Sequence, residues 1–154
     1  MPGNDQLARF AALRRLNPGQ RAAVASTARQ VSYPAGTQLF GEGDDASGCW
    51  LIESGQVALA TPVPGRGLVV VQTLGCGDVL GWSWIVPPHH WRFTATATQE
   101  VRAALLDTGR LRVLADQDPA LGYPLALGLL DALVARLHST RSRLLDLYGN
   151  PRGQ

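Results

Sequence analysis

Residues 73–97, TLGCGDVLGWSWIVPPHHWRFTATA, hold the side chains best suited to chemistry in this chain. Gly75, Gly77 and Gly81 surround Asp78, and Trp82, Ser83, Trp84, Pro87, Pro88, His89, His90, Trp91 and Arg92 follow. Three of the four tryptophans and two of the three histidines fall here, so the segment reads as the wall of a pocket rather than as spacer. Glycines let backbone approach a ligand closely, and the first N–H groups of a short helix after Gly81 could hold a phosphate without a charged side chain. The same glycines could equally make a tight turn with no ligand. Trp82, Trp84 and Trp91 could form an aromatic cage, or could fill the hollow as core.

Other chemistries find little support. The chain has no G-x-S-x-G, H-E-x-x-H or Walker sequence and no lysine, so no enzyme activity is expected. Asp44, Asp45 and Asp78 sit in turn-forming contexts, where a carboxylate bends backbone. His89 and His90 are adjacent and make a poor chelate without a third ligand, while Cys49 and Cys76 lack metal-site spacing and read as free core thiols. Neither a metal nor a resident cofactor is expected. Fourteen arginines against twelve acidic residues give a net charge of +2, and the charge is dispersed. Arg136, Arg141 and Arg143 form the nearest thing to a basic cluster, and they read as the solvated side of a helix rather than a nucleic-acid contact. No apolar run reaches the roughly 18 residues of a membrane span and no signal sequence opens the chain, so a cytoplasmic protein without a membrane partner is expected.

The elements that must position this segment follow from periodicity. Leu7, Phe10, Leu13 and Leu16 recur every three residues and predict a first helix over 7–16. Asn17 and Pro18 predict the cap and first turn of a second, ending near residue 29. From residue 30 the period falls to two, and strands are predicted at 30–33, 37–40, 49–52, 56–61, 68–73, 93–98 and 101–107, separated by glycine turns. This pattern predicts a mainly β chain, an antiparallel β-roll with short helices before it. A short helix over 109–116 and a long one over 121–147 close the chain. Leu125, Leu129, Leu133, Leu137 and Leu144 give the long helix one apolar stripe, longer than its own sheet needs, and predict a homodimer seam through Leu129, Leu133 and Leu137. The domain is expected over 7–148, with tails at 1–6 and 149–154.

The ordered motifs YPAGTQLFGEGD, CWLIESGQVAL, LGCGDVLGWSW and TATATQEVRAALLD, between two small helices and a leucine-rich one, resemble the cyclic nucleotide-binding domain. That domain is the sensory module of the catabolite activator and related regulators, and the resemblance covers about residues 7–148. It implies a regulatory module that takes a cyclic nucleotide such as cAMP at Gly77, Asp78, Gly81, Trp82, Ser83, Trp84, Trp91 and Arg92, and that signals to an effector protein. Two departures stand out. The family's ribose-binding glutamate falls at Trp82, whose side chain accepts no hydrogen bond. The family's phosphate-pairing arginine falls at or beside Trp91, with Arg92 next along. Because side chains alternate along a strand, a one-residue shift decides whether Arg92 faces the hollow or the surface. The alternative is a dimeric interaction module whose pocket its own aromatic rings fill. The chain ends soon after the long helix, where the family's transcription regulators carry a helix-turn-helix, so DNA binding by this chain alone is not expected.

Overall fold

The computed structural model describes residues 4–149. The expected tails 1–6 and 149–154 lie in part outside the described residues. Eight strands form two antiparallel four-stranded sheets. One has the order β1 (Ala28–Tyr33), β8 (Val101–Asp107), β3 (Gly48–Ser54), β6 (Val79–Leu80). The other has the order β2 (Gln38–Phe40), β7 (Thr94–Ala97), β4 (Val57–Val63), β5 (Gly67–Leu74). This is the expected roll, with helices at both ends.

The register sets which side chains look inward. In β3 the five residues from Gly48 to Ile52 are all buried, so both faces of this strand are covered. Trp50 faces the inside, where its ring lies 5.7 Å from Phe40 and 5.9 Å from Trp91. Cys49 points the other way and meets Trp84. In β5, by contrast, Leu68 and Val70 are exposed on an edge strand, so its apolar run is not a core signal.

The N-terminal segment departs from expectation. Instead of one helix over 7–16 there is a short α1 (Asn4–Leu7) and a single 3₁₀ turn over Ala11–Leu13, yet Leu7, Phe10, Leu13 and Leu16 are all buried. A strict spacing of three suits a 3₁₀ turn, whose side chains eclipse every third residue; on an α-helix at about 100° per residue the four would drift halfway round. The second helix, α2 (Pro18–Ala25), is closed by the reciprocal bonds of a capping box. Gln20 N donates to Asn17 Oδ1 at 2.8 Å, and Asn17 N donates to Gln20 Oε1 at 2.9 Å. It ends four residues earlier than expected, because Ala28 and Arg29 already pair with β8.

At the other end, α3 (Thr108–Gln117) starts on an Asp107 cap, and α4 (Pro119–Gly149) runs 31 residues, about 46 Å by helical rise. Its first half is core. Leu121, Leu125 and Leu129 are buried, and a Cβ on Gly128 would stand 1.8 Å from the Ala12 carbonyl oxygen, so helix backbone packs directly on the 3₁₀ turn. The seam expected through Leu129 therefore needs correcting, since Leu129 serves its own chain. Beyond it Leu130, Leu133, Val134, Leu137, Leu144 and Leu145 are exposed. By length and composition residues 119–148 would suffice to cross a membrane, contrary to expectation, although Leu121, Leu125 and Leu129 are buried against the 3₁₀ turn and α3.

Candidate functional site

The segment after β6 starts at Gly81, whose φ of +103° favours glycine. A Cβ there would sit 2.8 Å from the Gly48 carbonyl oxygen and 3.0 Å from the Trp91 ring, so close approach also requires glycine. The short helix expected next is absent. Residues 83–85 make one turn, closed by Ile85 N donating to the Trp82 carbonyl at 3.1 Å. Trp84 Nε1 folds back to the Gly81 carbonyl at 3.0 Å, and Arg112 of α3 donates to the Trp84 carbonyl. These bonds occupy the carbonyls of Gly81, Trp82 and Trp84, and the segment forms a turn rather than a regular helix.

Further along, three backbone bonds tie the segment to the loop between β2 and β3. Gly43 N donates to Trp91 O at 2.8 Å, Trp91 N to Asp44 O at 2.8 Å, and Ala46 N to His89 O at 2.7 Å. His90 Nδ1 lies 3.5 Å from an exposed Asp45 carboxylate. These ties drive the Trp91 ring inward, where it stacks on Phe40 at 3.9 Å and 14°. Trp50 completes the aromatic floor and donates from Nε1 to the Tyr33 hydroxyl at 3.0 Å. Arg92, one residue on in the bend before β7, is exposed.

Above this floor lies a cavity of about 590 Å³. The roll contributes Phe40, Leu59, Val71, Gln72 and Leu80. Residues 81–93 contribute Gly81, Trp82, Ser83, Val86, Trp91, Arg92 and Phe93, and α4 contributes Leu133, Arg136, Leu137 and Thr140. Five of the eight candidate residues thus line it: Gly81, Trp82, Ser83, Trp91 and Arg92.

The other three stand elsewhere. Gly77, with φ +90°, and Asp78 form the β5–β6 turn. Gly77 N donates to the Ile52 carbonyl at 2.9 Å, and Gly75 N donates to Asp78 Oδ2 at 2.8 Å. Trp84 is core beside Cys49. Cys76, expected in the core, is exposed on the same turn. Cys49 is fully buried, and desolvation pushes its thiol up to about 12 against the opposing hydrogen bond from Trp84.

Arg136 is the residue that the sequence reading placed wrongly. Rather than facing solvent, it is half-buried in the cavity wall, where Nη2 donates to the Val79 carbonyl at 2.7 Å and Cζ sits 5.4 Å from the centre of the Trp82 ring. Desolvation lowers its pKa, and the Asp78 charge partly opposes this. A signal was present: Arg136 and Thr140 fall three and seven residues after Leu133, on the stripe that faces the roll. No group of three or more His, Cys, Asp or Glu side chains could hold a metal among the described residues.

Comparison with known proteins agrees with this architecture. Two curated relatives, both a CRP-like cAMP-activated global transcriptional regulator of Mycobacterium tuberculosis, are 29% identical over 144 residues, 94% of this chain. The chain spans 62% of their length. A crystal structure from Geobacter metallireducens, assigned to cyclic nucleotide binding, superposes with a TM-score of 0.81 at 28% identity, covering 90% of this chain and all of that one. A cyclic nucleotide-binding domain from Methylobacillus flagellatus gives 0.80 at 21% identity, covering 93% and 84%. The catabolite activator protein of Thermus thermophilus gives 0.68 at 24%, covering 90% and 63%. The family model for the cyclic nucleotide-binding domain matches residues 30–118, more than half of the sequence. The chain is a member of the cyclic nucleotide-binding domain family.

Proposed function

We propose that the chain is a regulatory module that senses a small ligand in the cavity between the roll and α4, and that works as a homodimer through the outer half of α4. One observation carries the reading: the cavity wall is shared. Arg136 belongs to the long helix, yet it bonds to the Val79 carbonyl of β6 and lies over Trp82. A ligand that moves Trp82 or takes hydrogen bonds from Arg136 acts on both elements, so occupancy biases the placement of α4 and the surface it offers. Beyond Leu129 the exposed leucines of α4 would bury against a second copy. The signal passes to an effector protein, and the two unpaired thiols suit the reducing cytoplasm.

A second reading rests on Trp91. At the position where the family resemblance expects a phosphate-pairing arginine, its ring is stacked on Phe40, as in an interaction module whose nucleotide site is plugged. Intrinsic tryptophan fluorescence separates the two readings, because Trp82 and Trp91 line the cavity. Titration with cAMP, cGMP and small organic anions is expected to give a saturable change with at least one of them. At 100 times its Kd that ligand stabilises by about 2.7 kcal/mol and raises Tm by roughly 5–10 °C. A flat titration and an unmoved Tm for every compound would favour the plugged module.

A further inference from the structure

The chemistry of the cavity wall narrows the ligand, given the sensing role above. Most of the wall is apolar, from Phe40 and Leu59 through Trp82 and Trp91 to Leu133. Among the described residues the charged lining side chains are Arg92 and Arg136, and none is a carboxylate. Arg136 has five N–H donors and gives one to the Val79 carbonyl, and no ion pair joins it to a carboxylate among the described residues. Asp78 is close enough to be felt, but its carboxylate accepts from Gly75 N. The indole N–H of Trp82 is buried without an acceptor. The wall therefore has positive charge in excess and no charged acceptor, its side-chain acceptors being the neutral oxygens of Gln72, Ser83 and Thr140.

From this we infer that the cavity takes an organic carboxylate with an apolar body, its head held by Arg136 and Arg92 and its body by the aromatic and leucine wall, rather than a sugar phosphate. Apolar walls strengthen a guanidinium–carboxylate pair by excluding water. Against the same walls, each ribose hydroxyl gives up water without a charged acceptor in return. The volume of about 590 Å³ falls in the usual range for a small-molecule site and admits a chain of about twelve carbons.

Displacement of 1-anilinonaphthalene-8-sulfonate from the 154-residue chain tests this inference. Dodecanoate is expected to displace the probe at one site per chain, with dodecanol at least tenfold weaker and cAMP without effect at millimolar concentration. Arg92→Gln, at an exposed side chain, is expected to weaken dodecanoate tenfold or more and to leave dodecanol unchanged. Arg136→Gln should do the same, provided its Tm shows that it folds. Equal displacement by dodecanol, or dodecanoate binding indifferent to Arg92→Gln and to folded Arg136→Gln, overturns the assignment. Displacement by cAMP but not by dodecanoate overturns it while leaving the sensing role intact. If nothing displaces the probe and nothing raises Tm, both fall together.

Discussion

The two halves of α4 carry the same leucine pattern and meet different fates. Leu121, Leu125 and Leu129 are buried beneath the 3₁₀ turn and α3, and Gly122 and Gly128 bring helix backbone against Ala115 and Ala12. From Leu130 onward the leucines are exposed, Leu137 at 68% and Leu145 at 59%, with Arg136, between Leu133 and Leu137, turned against the roll. An amphipathic stripe reports that a face will be covered. It does not report by which chain. Glycine makes the distinction, since backbone contact at Gly128 requires a partner within the fold, whereas the outer half has no glycine before Gly149 and projects side chains only.

Truncating one leucine in each half breaks or sharpens this contrast. Leu125→Ala leaves a cavity in the packed half and is expected to cost about 2–5 kcal/mol, lowering Tm by roughly 4–20 °C in thermal denaturation. A loss under 1 kcal/mol would mean that the first half of α4 is not part of the core. For the outer half, Val134→Glu puts a charge on a residue already 56% exposed in one chain. Its expected effect on the stability of the isolated chain is within about 0.5 kcal/mol. Sedimentation at micromolar concentration should nevertheless shift from dimer to monomer. A dimer that survives this substitution, or a wild-type chain already monomeric, removes the seam.

Much of the roll was legible because its turns demand particular residues. Gly36, Gly43 and Gly55 all have φ near +90°, and they mark strand ends that composition alone would blur. At Gly55 a Cβ would meet the Glu100 carbonyl oxygen at 2.1 Å, so that turn needs its glycine twice over. The candidate site was legible in half. Gly81, Trp82, Ser83, Trp91 and Arg92 came together because they lie in one short segment, with Trp91 buried and Arg92 exposed in the bend before β7. Gly77 and Asp78 stand outside the cavity, and a glycine and an acid at a turn look the same in sequence whether they hold a ligand or hold backbone; here Asp78 holds Gly75 N. Arg136 was missed because it comes from a distant helix; only the packing of α4 on the roll brings it to Trp82.

The two cysteines sharpen the contrast most finely, since each reports locally. Cys76 is exposed at the β5–β6 turn and Cys49 lies sealed in β3 beside Trp84. At pH 8 Cys76 is expected to react with a thiol reagent at the rate of an open thiol. Cys49, held at about 12, presents roughly one thiolate in ten thousand and no path for the reagent, so its labelling must await opening of the packed layer. Leu125→Ala should accelerate Cys49 labelling and Val134→Glu should not, if only the first half of α4 seals that layer. The sign of the pH effect follows from the same burial. Folding raises this thiol from 9.0, so its contribution to stability is complete below pH 9 and is lost as pH climbs through about 12. Cys49→Ala should flatten that alkaline decline. Equal labelling rates for the two thiols in the native chain would show that the layer beneath Trp84 opens as readily as the turn outside it.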